Sequence, residues 1–129
     1  MKCKQHLLIF LFFISLNCYC QENNDIVSLT KITFLDPKNS ILNYPNKITD
    51  KDFTHWTQEQ GLYYPSEWDK AFTPILSSHD QGETDKNGAL LVAKYGKGFY
   101  IYTGLSFFRE LPEGVPGAFR LMANMISVK

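Results

Sequence analysis

Residues 89–117 read ALLVAKYGKGFYIYTGLSFFRELPEGVPG, and this stretch decides the fold. Ala89–Tyr95 and Phe99–Leu105 are two apolar runs rich in β-formers, which predicts two strands. Gly96-Lys97-Gly98 between them is short enough for a hairpin, with glycines free to take positive φ. Both runs are apolar on more than one face, so both are expected to be largely buried. Leu111–Gly117 then forms a rigid Gly/Pro loop, and a helix follows from about Ala118. Ala118, Leu121, Met122, Met125 and Ile126 recur at helical spacing as one apolar stripe, with Arg120 and Asn124 off it. The fold class read from this segment is α/β: a small sheet holding the hairpin, with the C-terminal helix packed across it.

Working outward, Ile26–Leu35 (IVSLTKITFL) reads as a strand, broken by Asp36-Pro37-Lys38-Asn39-Ser40. Ile41–Asn46 is an extended loop. Thr49 is placed as an N-cap with Asp52 three residues on. Phe53 and Trp56 share one face of the helix so begun, and Gly61 ends it. Leu62–Trp68 is an aromatic loop or short strand. Phe72–Leu76 is a short strand that Pro74 assigns to a sheet edge. Ser77–Gly88 (SSHDQGETDKNG) has the composition of a polar loop.

The N-terminus has a different character. Lys2 and Lys4 precede an apolar run from Leu7 to Leu16, and Cys18-Tyr19-Cys20 then sets small side chains before Gln21. This is the pattern of a secretory signal peptide over residues 1–20, with an uncleaved anchor as the alternative. The apolar run is shorter than the roughly 20 residues that span a bilayer, so no stable membrane span is expected after cleavage. Residues 21–129 would then be one small domain, secreted or periplasmic in a bacterium. The whole chain has 13 basic and 13 acidic residues, and loss of Lys2 and Lys4 leaves a net charge of −2. A nucleic-acid partner is not expected from such a balance. All three cysteines lie within residues 1–20, so the domain itself has no thiol nucleophile, thiolate ligand or disulfide.

Few residues suggest chemistry. His79 lies among Asp80 and Glu83, but His55 is the domain's only other histidine, and neither metal nor cofactor is expected. Trp56, Tyr63, Tyr64 and Trp68 form an aromatic cluster in the sequence. Such side chains either stack on sugar rings or fill a small core. Arg109 follows a buried strand, where α/β folds place ligand sites. It could clamp a carboxylate or phosphate, pair with Glu110 or Glu113, or hold its own loop.

Three blocks carry a family resemblance. The first is Tyr44-Pro45-Asn46-Lys47-Ile48-Thr49 with Asp52-Phe53, Trp56 and Gln58-Glu59-Gln60-Gly61-Leu62-Tyr63. The second is Trp68-Asp69 with Gly88–Gly98 and Tyr100–Thr103. The third is Phe107–Pro112 with Gly114–Leu121. Together they resemble the C-terminal, class I glutamine-amidotransferase-like region of secreted bacterial PIG-L-type (LmbE-like) deacetylases. The resemblance covers most of residues 32–127 and implies part of a flavodoxin-like sheet. The zinc motif of those deacetylases, His-Pro-Asp-Asp, has no counterpart here, nor has the Cys, His and Glu set of active amidotransferases. What the resemblance implies is therefore a secreted, non-catalytic accessory domain with a deacetylase or glycan partner. Three other readings stay open: a carbohydrate-binding module using the aromatic cluster, a divergent hydrolase, and a remnant of a longer deacetylase gene.

Overall fold

The computed structural model of the protein describes residues 31–57 and 61–129. Residues 1–20, read above as a signal peptide, and the first half of the expected Ile26–Leu35 strand lie outside the described residues. What remains of that strand is β1, Lys31–Phe34. Three more follow: β2 (Thr73–His79), β3 (Lys86–Tyr95) and β4 (Gly98–Thr103). They form one open sheet in chain order, and every pairing is antiparallel. Two single 3₁₀ turns, Ser40–Leu42 and Asp50–Phe53, lie in the connection from β1 to β2. A short helix α1 (Phe107–Glu110) and a longer α2 (Pro116–Ile126) close the chain. The fold is thus mixed α/β, with the hairpin and C-terminal helix expected from residues 89–126.

The hairpin turn is Gly96-Lys97, closed by the pair Tyr95↔Gly98. Gly96 takes φ +57° while Lys97 stays in the ordinary negative region, the pattern of a type II′ turn. β3 is buried from Gly88 to Ala93, as its composition predicts. β4 is not: it is an edge strand, exposed from Gly98 to Tyr100 and half-buried beyond. Its apolar sequence overstates its burial, because no strand among the described residues pairs along its far side.

β2 corrects two expectations. Pro74 stands inside an interior strand rather than an edge. It lies past the last β1 partner, Phe34↔Leu76, and the register with β3 slips between Pro74 and Leu76. A missing N–H is tolerated at such an irregular strand end. The polar loop is also shorter than its composition suggests. Ser77, Ser78 and His79 belong to β2, and Lys86-Asn87-Gly88 to β3. Pairing of Ser77 with Thr33, and of Ser78 with both Ile32 and Lys86, outweighs their turn propensity.

Alternation along β3 divides the sheet into two covered faces. Leu90 and Val92 join the main core with Ile41, Leu42, Phe53, Trp56, Leu121 and Met125. Leu91 and Ala93 are equally buried but stand outside that core. Their face is covered by the aromatic segment 62–72. Pro65 O lies 2.6 Å from where a Cβ on Gly88 would sit. Tyr102 Oη donates to Tyr63 O at 2.6 Å, and the Phe72 and Tyr100 rings meet edge-on at 5.8 Å. The segment is a strap across the sheet, and Phe72 serves there as cover for Tyr100.

The helix expected from Thr49 to Gly61 is a single 3₁₀ turn. Its start is as read: Thr49 N donates to the Asp52 carboxylate at 2.8 Å. It does not propagate because Asp52 O is taken by the Trp56 indole N–H at 2.9 Å, in place of a backbone N–H. Phe53 and Trp56 are nonetheless buried together, ring centroids 5.4 Å apart.

Helix α2 has Pro116 in its first turn and packs closest to the two 3₁₀ turns, while sharing the core with the sheet. Ala118, Leu121 and Met125 are buried as the stripe predicts. Ile126 departs from it at 79 % exposed, and Asn124, expected outside the core, is fully buried. Asn124 Nδ2 donates to Ile41 O and Asn46 O, each at 2.7 Å, and Oδ1 accepts from Asn46 N at 2.9 Å. One turn earlier, Arg120 Nε donates to Asp52 at 2.7 Å and Nη2 to Lys47 O at 2.7 Å. These two polar residues hold the 43–52 connection against α2. Leu121→Ala should cost about 2–5 kcal/mol, the usual range for emptying a buried leucine site. A thermal melt coincident with wild type would show that α2 does not dock as described.

Candidate functional site

The strap leaves β4 through an unusual piece of backbone. Leu62 N donates to Gly104 O at 2.7 Å, and Gly61 bridges Leu105, so the chain begins to pair along the β4 edge. Tyr63 then takes φ +54°, among the described residues the only non-glycine with positive φ. That conformation is disfavoured for a bulky side chain and turns the chain onto the face of the sheet. Its ring is left 88 % exposed.

Between this bend and the β2–β3 loop lies a cleft of about 290 Å³, lined by Gly61, Leu62, Tyr63, Tyr64, Ser78, His79, Asp80, Glu83 and Lys86. Tyr64 is fitted closely into its floor. A Cβ on Gly61 would fall 1.9 Å from Tyr64 Oη, and one on Gly104 would fall 2.8 Å from its ring. The two glycines are there because the ring occupies their side-chain space. Tyr64 Oη and Ser78 Oγ are both buried and close enough to interact, yet among the described residues neither meets a partner at full hydrogen-bond geometry. Burial, the larger effect, pushes the Tyr64 phenol above its ordinary value of 10.0; Ser78 and Lys86 counter this and Asp80 adds to it.

The rim is charged. Lys86 pairs with Glu83, whose carboxylate raises the Lys86 pKa. His79 Nε2 lies 3.4 Å from the Asp85 carboxylate and its Nδ1 lies 3.1 Å from Asp80 O. Both ring nitrogens therefore face acceptors of the adjoining loop, a poor arrangement for a base serving Ser78. Among the described residues, no three His, Cys, Asp or Glu side chains converge as a metal site.

The sequence candidates separate in space. Trp56 is 4 % exposed, its ring against Phe53 and, at 5.5 Å, Phe107; it is a core residue with no surface to offer a ligand. Trp68 is half-buried on the strap and does not line the cleft. Only Tyr63 and Tyr64 meet there. Arg109 lies elsewhere, on α1, its guanidinium 5.2 Å from the centre of the exposed Phe108 ring. Its neighbour Glu110 turns inward, fully buried, accepting from Thr57 N at 2.9 Å and Ser106 Oγ at 3.3 Å. Ser78 and Lys86 were hidden by their place in an apparent loop. The one sequence cue was the strand-like TPILSSH run ending beside His79.

Tyr64→Phe tests this floor. Removing a buried hydroxyl whose polar neighbour is Ser78, at less than full hydrogen-bond geometry, should change stability at neutral pH by no more than about 1 kcal/mol. The folded phenol titrates above the unfolded one, so the native state holds its proton longer. Stability is then full below pH ~10 and falls as pH rises through the folded value. The variant should lack that part of the alkaline loss in urea melts recorded from pH 8 to 11.

No protein-family model, curated protein or solved structure matches this chain. Among the described residues, no helix is long and apolar enough to cross a membrane.

Proposed function

We propose that this protein is a secreted, non-catalytic accessory domain related to the C-terminal region of PIG-L-type deacetylases, and that it binds a glycan at the Tyr63 cleft. The observation that carries the reading is Tyr63 itself. A bulky aromatic is held in a disfavoured backbone conformation, its carbonyl fixed by Tyr102 and its ring presented to solvent beside a polar cleft. Backbone strain of this kind costs about 1–3 kcal/mol and tends to sit at ligand sites. An exposed ring next to Asp80, Glu83 and Lys86 offers an apolar face for a pyranose and hydrogen-bonding groups for its hydroxyls. The N-terminal signal pattern supports an exported protein. The engagement of both His79 ring nitrogens favours binding over hydrolysis. In the same reading, β3, β4 and α2 descend from the C-terminal part of an amidotransferase-like sheet whose parallel strands lie outside this chain. The carbohydrate-binding reading survives with a smaller set of residues than the sequence offered: Tyr63 with the cleft rim, and neither tryptophan.

Titration calorimetry with a panel of soluble oligosaccharides, chito-oligosaccharides and β-glucan fragments among them, tests this. At least one class should bind saturably, and Tyr63→Ala should weaken that binding tenfold or more while the melting temperature holds or rises. Absence of saturable binding across the panel would sink the glycan reading. Turnover of an oligosaccharide that disappears in His79→Ala would overturn the non-catalytic one.

A further inference from the structure

We propose that two copies of this chain associate through the edge of β4 that no described strand pairs with, strand to strand and antiparallel, to make one continuous eight-stranded sheet. The two sheet edges are built differently. In its described residues β1 carries Lys31 and is stopped by Asp36-Pro37, a charge and a proline of the kind that protects a sheet edge. β4 runs Gly98-Phe99-Tyr100-Ile101-Tyr102-Thr103 without a charge, a proline or a bulge, in unbroken register with β3. It is neutral and carries exposed rings: Phe99 at 39 % and Tyr100 at 58 %.

The hydrogen-bonding register fixes how a partner would sit. Tyr95↔Gly98 closes a two-residue turn, and Gly104 N donates to Ala89 O at 3.1 Å. Because the pattern alternates, Gly98, Tyr100 and Tyr102 direct their amides toward β3. Phe99 and Ile101 therefore direct both N–H and C=O to the open side. Beyond them the strap occupies the edge at Gly104 and Leu105, until Tyr63 turns it away. What remains open is a short self-complementary segment. A two-fold axis at Tyr100 sets Phe99 opposite Ile101 of the second copy, and Ile101 opposite its Phe99, with four backbone hydrogen bonds. The two Tyr100 rings become cross-strand neighbours, each backed by its own Phe72. Gly98, at the end of the segment, carries no side chain, and even a Cβ there would meet only Tyr95 O at 4.0 Å. The hairpin lysines, Lys97 of each copy, lie at opposite ends of the paired segment, which avoids a like-charge contact. The second copy fits better than an unrelated extended peptide because its strand repeats the same neutral aromatic pattern in matching register.

Amide exchange by NMR and sedimentation velocity, both on the full chain, test the proposal. The Tyr100 and Tyr102 amides should be protected at every concentration. Phe99 and Ile101 amides should exchange freely in dilute protein and gain at least tenfold protection at high concentration, as the sedimenting mass doubles from 14.9 kDa. Phe99→Lys should abolish both concentration effects with unchanged far-UV circular dichroism. Both forms carry the same N-terminal segment, so their difference reports the β4 edge alone. A second, gentler variant, Phe99→Thr, should weaken association without removing it, and guards against a folding defect in the first. Phe99 and Ile101 amides that stay unprotected at the highest concentration would overturn the proposal. So would association that persists unchanged in Phe99→Lys, or open-ended polymers, which would mean β1-to-β4 pairing.

Discussion

Asn124→Ala should cost the protein about 3–5 kcal/mol and lower its melting temperature by roughly 12–30 °C. The substitution empties a fully buried site and leaves Ile41 O, Asn46 N and Asn46 O without the partner that Asn124 supplies. Each buried polar group left unpaired costs about 1–3 kcal/mol, so the sum is a large share of a small domain's total. Ile126→Ala, two positions on, removes an apolar side chain that is 79 % exposed and should change stability by under about 0.5 kcal/mol. Helical periodicity alone ranks these two the other way. Parallel thermal melts decide between periodicity and packing, and a nearly unchanged melt for Asn124→Ala would show that the 41–46 connection is not held by α2.

Gly117→Ala is expected to be as damaging, by a different route. A Cβ at Gly117 would stand 1.7 Å from Asp52 O, a backbone atom that cannot swing aside. The N-terminus of α2 would have to lift from the Asp50–Phe53 turn. That movement strains the Arg120–Asp52 ion pair and the Trp56 indole bond to the same carbonyl. A loss of about 3 kcal/mol or more is expected, which is beyond ordinary overpacking because two anchors move together. Gly98→Ala is the matched control, since a Cβ there meets only Tyr95 O, at an ordinary 4.0 Å. It should fold and melt as wild type does. Urea denaturation of both variants provides the comparison, and equal midpoints would mean that Gly117 is not a contact point.

Much of the sheet was legible because hydrophobic runs and glycine turns are local signals. Residues 89–105 carry a hairpin in their own composition, and the stripe from Ala118 to Ile126 carries a helix. The failures share a physical cause. Ser77 and Ser78 look like loop residues until two neighbouring strands claim them. Asn124 looks like a surface residue until a carbonyl-rich connection folds against it. Trp56, Tyr63, Tyr64 and Trp68 are close in sequence, yet a capping bond at Asp52 and a left-handed residue at Tyr63 send them to the core, the rim, the floor and the strap. Long-range pairing decides these placements, and one chain's local pattern does not encode it. The cleft is a product of that pairing, which is why its floor and rim could not be assembled from motif spacing.

The bend at Tyr63 also bears on the choice of chain path. The strap is committed to the sheet's second face by one residue whose preferred geometry would instead keep it running along β4. During folding, residues 61–64 therefore have a competing course open to them: continuing as a fifth strand on the same edge. Glycine or asparagine at position 63 would favour the observed bend and a β-branched residue would disfavour it, so the identity of that single side chain biases which of the two courses the segment takes.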